Sequence, residues 1–439
     1  MLKNIYDTEW QNYHSSRTKR YIEYWVSYAE EKREDFVQLD WEIENIFHAF
    51  QEANVCQMHR ELVRGVTSLF GYLYVRGQYK VADEYLQLAE QAAKKSHEEN
   101  LLADSLVQLA TFAGVRGMLD RAEAYLQQVL NLIDVNAVSN QVRATFQALG
   151  TLNYVRGSYG KAESYWIKAY KVAQELGHTA AECHLGMNLG LLMHNQIKYE
   201  QAMVYLQQSI HAARSMNDSK LLEDILINDA IVRFTTGDHE GAKEVLEEVL
   251  KLSREVGHIE DQGFALNNLG QIALFQKEYD KAEELNNEAL KIGRQLGHPL
   301  IISGALLNLG SVACEKGDFK TSEKLLRDAQ QHAEEGVDVW LGLNICNTMG
   351  EFYRRVREFD KAQKMFEKVI DEAVHINGLD LKAVALLGLS KVSHAQGNAQ
   401  DAYQLCQESL ALLGSTQHYE VANIVDWLSQ LEQNKNGYS

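Results

Sequence analysis

A small residue returns every 40 positions along this chain. Ala82, Ala122, Ala162, Ala202, Ala242, Ala282, Ser322, Ala362 and Ala402 keep that step of 40 through nine units. A second series has the same step: Phe70, Ala110, Gly150, Gly190, Ala230, Gly270, Gly310, Gly350 and Ser390, small in all but the first. A third, mostly aromatic, precedes the first series by three: Tyr79, Leu119, Tyr159, Tyr199, His239, Tyr279, Phe319, Phe359 and Ala399. A repeat of this length describes units that bury part of their apolar surface internally and the rest against the next copy. That is the signature of a solenoid.

The unit is clearest from Phe264 to Leu290. Leu266, Leu269, Ile272 and Ala273 share one helical face, and the pattern stops at Gln276-Lys277. Glu278-Tyr279-Asp280 reads as a turn, and a second helical pattern begins at Ala282 with Leu285, Ala289 and Leu290. Each unit is therefore predicted to be a helical hairpin, with the small second series where its two helices cross closely. The expected fold class is all-α: a right-handed superhelical solenoid of about nine helix-turn-helix repeats over residues 57–416. Residues 1–56 and 417–439 are expected as caps. The first has a helix over Thr18–Glu34 and a second opened by Asp40; the other has a helix over Tyr419–Gln433 and a polar tail. The unbroken period argues for one elongated body.

The Leu-Gly pairs at 149–150, 189–190, 269–270 and 309–310, Gly-x-Tyr-x-x-Ala at 77–82 and 157–162, and Ala at 89, 169, 289 and 329 resemble tetratricopeptide (TPR) repeats. The 40-residue unit is similar to the long-repeat arrays of bacterial NB-ARC/STAND signalling regulators, kinesin light chains and spindle-orientation adaptors. The run Leu39–Ile46 also resembles the segment that joins the ATPase of NB-ARC regulators to their repeats. No GxxxxGK[ST] loop accompanies it.

Composition narrows the function. A net charge of −18, from 61 acidic and 43 basic residues, disfavours nucleic acid and anionic membranes as partners. No apolar run approaches the length of a membrane span. Five scattered cysteines without a CxxC pair fit reduced thiols and a cytoplasmic location. The single proline, Pro299, falls where it can open a helix. No HExxH, GxSxG or Cys/His cluster is present, so neither catalysis nor a cofactor or metal is expected.

What remains is a surface. The resemblance implies that the first helices of the repeats line a concave groove. Asn188, Asn228, Asn268 and Asn308 stand in register there, although asparagine is a mediocre helix former. In related repeat proteins asparagine at this position grips a peptide backbone, so the resemblance implies a clamp. The alternative is a structural ladder, each amide bonding a neighbouring helix. His184, Met187, Asp224, Ile231, Asn267 and Gln271 would add specificity, and Asn344, Asn347, Arg354 and Arg355 a polar end. The expected function is a non-enzymatic scaffold holding an extended peptide or partner segment. The second reading is a sensor whose shape responds to ligand and controls a STAND-type ATPase or transcription factor. Homo-oligomerisation through an end cap would engage Trp25, Trp41 or Trp427. Two local features stay open at this stage. Arg76, Arg116 and Arg156 form either a solvated edge or an anion stripe. Asp229, at a leucine position, implies either a slightly rotated helix or an ion pair with Arg233 that marks a pliable joint or ligand contact mid-array.

Overall fold

A computed structural model describes the backbone of residues 2–436 apart from 34, 77, 116 and 336–338. Side chains are described from residue 16 onward, leaving out in addition 74, 75, 79, 115, 335 and 434–436. Arg116 and the end of the C-terminal tail, 437–439, thus lie outside the described residues. Every regular element described is a helix.

Helices α1 (Leu2–Glu31) and α2 (Phe36–Val55) form the N-terminal cap. Three hairpins follow: α3 (His59–Val75) with α4 (Tyr79–Ser96), α5 (Glu99–Val115) with α6 (Leu119–Leu132), and α7 (Asn140–Val155) with α8 (Tyr159–Glu175). Six more hairpins begin with α9 (Thr179–Asn195) and α10 (Tyr199–Met216), α11 (Ser219–Thr235) and α12 (His239–Val256), and α13 (Ile259–Phe275) and α14 (Tyr279–Leu296). They continue with α15 (Pro299–Glu315) and α16 (Phe319–Glu335), α17 (Val339–Arg355) and α18 (Phe359–Ala373), and α19 (Leu379–Ala395) and α20 (Ala399–Leu413). Helix α21 (Glu420–Asn436) closes the chain. Where the period reads as one body, the contacts divide the chain into two compact units, Met1–Gly177 and His178–Ser439. Each is a stack of hairpins.

The repeat series acquire physical roles. The aromatic series starts each second helix instead of ending a turn, three residues earlier than the apolar pattern suggests. The small series makes room for one particular side chain, sixteen residues on. A Cβ at Gly150 would lie 2.3 Å from Trp166, at Gly190 2.7 Å from Leu206, at Gly310 2.9 Å from Leu326 and at Gly350 2.6 Å from Phe366. A fourth series, hidden in the sequence, sits in the hairpin turn at 117, 157, 197, 237, 277, 317, 357 and 397, always with a left-handed backbone. Glycine fills five of these positions, but Ile197 (φ 62°), Lys277 and Arg357 also adopt the conformation. Ile197 is compensated by packing against the buried cluster around Cys406, Leu413 and Ile424 at the C-terminal end of the second unit.

Asp40 does not open α2. Asp35 is the N-cap and accepts from the Gln38 amide at 3.1 Å, while Asp40 lies inside the helix and accepts from the Tyr72 hydroxyl at 2.8 Å. It also pairs with Arg76 at 2.5 Å, and Arg156 pairs with Asp120 at 2.9 Å. The same reach of 36 residues joins Gln276 to Glu240 and Lys316 to Asp280, both at 2.8 Å. The described arginines of the Val-Arg-Gly motif are thus inter-repeat staples and not an anion stripe. Pro299 opens α15, as its position implies. Asp229 is buried at the leucine position, as Leu189, Leu269 and Leu309 are in their repeats. Arg233 donates to it at 2.7 Å and Gln207 at 2.9 Å, so both carboxylate oxygens are satisfied.

Candidate functional site

The first helices of the second unit surround a cleft of about 230 Å³. Helix α13 contributes Asn267, Asn268 and Gln271, α15 Leu307 and Asn308, and α17 Trp340, Asn344 and Asn347. Ile231, Phe234 and Thr235 come from α11, His194 from α9 and Asp380 from α19. The last wall is the segment before α21, His418 and Tyr419, which spans from one edge of the unit to the other. There the Tyr419 amide donates to the Thr235 carbonyl at 3.0 Å, and the Tyr419 ring packs against Phe234, Phe275 and His239.

Burial sets the electrostatics of this cleft. Desolvation, with His194 as a like-charge neighbour, pushes His418 down to about 4. His194 is also held below its ordinary value by burial, opposed by Asp380, and its Nε2 lies 3.1 Å from the Thr235 hydroxyl. Burial raises the Tyr419 phenol and the Asp380 carboxyl, the latter in spite of the nearby His194. Two acceptors in the wall are buried with no protein partner: Oδ1 of Asp380, a residue only 8% exposed, and Oδ1 of Asn347. Unpaired buried acceptors are costly, which makes this wall the least relaxed part of the cleft.

The four register asparagines part company. Asn268 and Asn308 line the cleft; Asn188 and Asn228 are half-buried outside its lining. Asn228 and Asn268 each donate to the carbonyl four residues earlier in their own helices, Asp224 and Phe264, at 2.9 Å. Asn308 is 7% exposed and donates to Oδ1 of Asn267 and Oδ1 of Asn286 at 2.9 and 3.0 Å. Asn286 takes the place held by Trp166, Leu206, Leu326 and Phe366 in other repeats, against Gly270. Ile231, Asn267, Gln271, Asn344 and Asn347 also come together at the cleft, whereas His184, Met187 and Asp224 do not line it. Arg354 and Arg355 lie outside it too: both donate to Glu351, at 2.6 and 3.2 Å, and Arg355 also to Glu315. The sequence reading missed His194, Asp380, His418 and Tyr419. Asp380 lies three 40-residue steps after Glu260, but Leu300 and Trp340 stand between them, so the register carried no acidic signal.

Beside the cleft, Glu223, His258 and Asp261 bring ligand-type atoms within 4.8 Å of one another. Lys220 already supplies the positive charge there, donating to both oxygens of Asp261 at 2.7 and 2.9 Å. His258 Nδ1 lies 2.9 Å from Glu223, whose carboxyl burial and Asp261 push up to about 7. The group reads as an ion cluster tying α11 to α13.

Residues 223–435 match the model of the MalT-like TPR region. Over that stretch the chain carries tetratricopeptide-type helical repeats. Solved structures share this fold. NprR in complex with its cognate peptide NprX has a TM-score of 0.59 at 14% identity, covering 80% of this chain and 99% of that one. A Rap protein complexed with competence and sporulation factor has a TM-score of 0.52 at 14% identity, covering 85% and 98%. Aspartyl phosphate phosphatase F from Bacillus subtilis has a TM-score of 0.55 at 16% identity, covering 80% and 95%. At these identities the likeness is one of fold. No curated protein sequence matches the chain.

Proposed function

We propose that the second unit is a non-enzymatic binding module that holds an extended peptide or partner segment in its cleft. The observation that carries this reading is the set of amides of Asn267, Asn268, Asn344, Asn347 and Gln271 lining one cleft together with the carboxyl of Asp380. A wall of amides and one carboxylate suits the alternating N–H and C=O groups of a polypeptide, with an ammonium or other donor at Asp380. The NprR structure with its peptide and the Rap structure with its factor support the reading, because both carry their ligands on this fold. The acidic charge of −18 favours a basic segment over nucleic acid. Among the described residues no helix is long and apolar enough to cross a membrane.

One observation favours a regulatory role as well. A ligand in the cleft touches both α11 and the 418–419 segment that is hydrogen-bonded to it, so occupancy bears on the closure of the unit. Control of a STAND-type ATPase or a transcription factor would act through that closure. Of the three tryptophans proposed for an end-cap oligomer, Trp41 is 78% exposed, whereas Trp25 and Trp427 pack within their caps.

A displayed library of random short peptides, selected on the whole chain and counter-selected on Asp380→Asn and Asn344→Ala variants, tests the proposal. Peptides enriched on the parent protein and lost from both variants are expected. Enriched peptides that bind all three proteins equally would remove the cleft from the reading.

A further inference from the structure

Arg143 breaks the repeat pattern of the first unit. Its register position is held elsewhere by Ala103, Cys183, Gly263, Ser303, Leu343 and Ala383, and the described side chains among these are buried; Glu223 is the one other charged occupant. Glu223 has His258 beside it. Arg143 has no carboxylate partner among the described residues: its Nη1 donates to Gln147 at 2.7 Å, and its Nε is buried with no acceptor. Asp104, on the facing helix α5, is engaged by Gln141 instead. A desolvated guanidinium without a counter-charge is an expensive arrangement in a folded chain.

Arg143 lines a cavity of about 350 Å³ between α5, α6 and α7. Its walls are mainly apolar, with Val107, Ala110, Leu126, Ala148 and Leu152 among them. With Nη1 taken by Gln147 and Nε buried, Nη2 is the guanidinium nitrogen left for a ligand in the cavity, and a carboxylate oxygen is the acceptor that suits it. We infer that this cavity binds a small organic carboxylate, its head on the Arg143 guanidinium and its apolar body against the α5–α7 walls. The volume is at the lower end of ligand clefts, enough for a short acyl chain or a single ring. The site is separate from the peptide cleft and lies wholly within the first unit.

Calorimetric titration of the full chain with sodium octanoate is the test. One molecule is expected to bind per chain and to raise the melting temperature, while octan-1-ol and octylamine, which lack the anion, bind at least tenfold more weakly. Arg143→Met should lose at least tenfold in octanoate affinity, and without octanoate it should melt no lower than the parent, since it removes an uncompensated charge. Arg143→Lys, which keeps the charge without the guanidinium, should fall between. Ala148→Phe should fill the cavity and abolish binding with an unchanged helical spectrum. Equal binding by the parent and Arg143→Met would overturn the assignment, as would a lower melting temperature of Arg143→Met in the absence of octanoate. Tighter binding of octyl phosphate than of octanoate would overturn the carboxylate head.

Discussion

The side-chain amide of Asn308 donates to Oδ1 of Asn267 at 2.9 Å, joining the inner helices of two successive repeats. The same amide reaches Asn286 on the second helix between them. Where four asparagines in register read as one functional row, this member is spent on the protein itself.

Asn308→Ala is therefore expected to lower stability by about 2 kcal/mol, since it strands the buried Oδ1 of Asn286 and the half-buried Oδ1 of Asn267. Asn268→Ala should change stability by less than about 0.5 kcal/mol, because Asn268 bonds only its own helix and alanine is the better helix former. Urea titration of the two single mutants checks the contrast; equal losses would contradict it.

Phe366 lies between two glycines. A Cβ at Gly350 would come within 2.6 Å of its ring and one at Gly388 within 2.4 Å. Gly350→Ala should cost about 2 kcal/mol through overpacking, and Phe366→Leu in the same chain should recover part of it. A double-mutant cycle on the melting transition measures that coupling.

Asp229 occupies a leucine position but is paired with Arg233 and Gln207. Asp229→Ala should destabilise by about 2 kcal/mol, because the half-buried Arg233 loses one of its two carboxylates. Asp229→Leu should cost much less, or nothing, since a packed apolar residue often equals a buried ion pair. Thermal unfolding of both variants distinguishes pairing from mere volume.

His418 is held neutral down to about 4 by burial and by His194, in surroundings that also contain Asp380, Tyr199, Tyr419 and Glu420. Its folded value lies below the ordinary 6.5, so the unfolded chain takes up more protons between the two values. The stability that neutral His418 contributes is intact above about pH 6.5 and is lost as the pH falls toward 4. From this group alone the loss between pH 7 and pH 5 is about 2 kcal/mol. Glu223 has the opposite sign, because its raised value of about 7 favours the folded state as the pH falls from 7 toward its ordinary 4.5. Calorimetry of His418→Gln at both pH values should show a smaller loss than the parent chain.

The architecture was legible in the sequence because it depends on period alone: the same residue types every 40 positions can bury their faces only by stacking. The site was half legible. Asn267 and Gln271 were found because they share α13 with Asn268, and Asn344 and Asn347 because α17 is the next first helix after the asparagine row. Asp380, His194, His418 and Tyr419 were not, because their meeting depends on how far the second unit curls, which is a sum of small rotations that no local pattern records. The left-handed turn at Ile197 was hidden for a related reason. Its φ of 62° suits glycine, and only contact with a distant part of the chain explains an isoleucine there.

The hydrogen bond from Tyr419 to Thr235 makes the second unit a hoop, and a hoop has no loose end from which to fray. An open array can lose a terminal hairpin and keep the rest; here release of that bond would expose His194 at one rim and the Trp427 face at the other together. Amide exchange in α9 and α21 should then rise and fall in step, as though the two helices were neighbours in the chain.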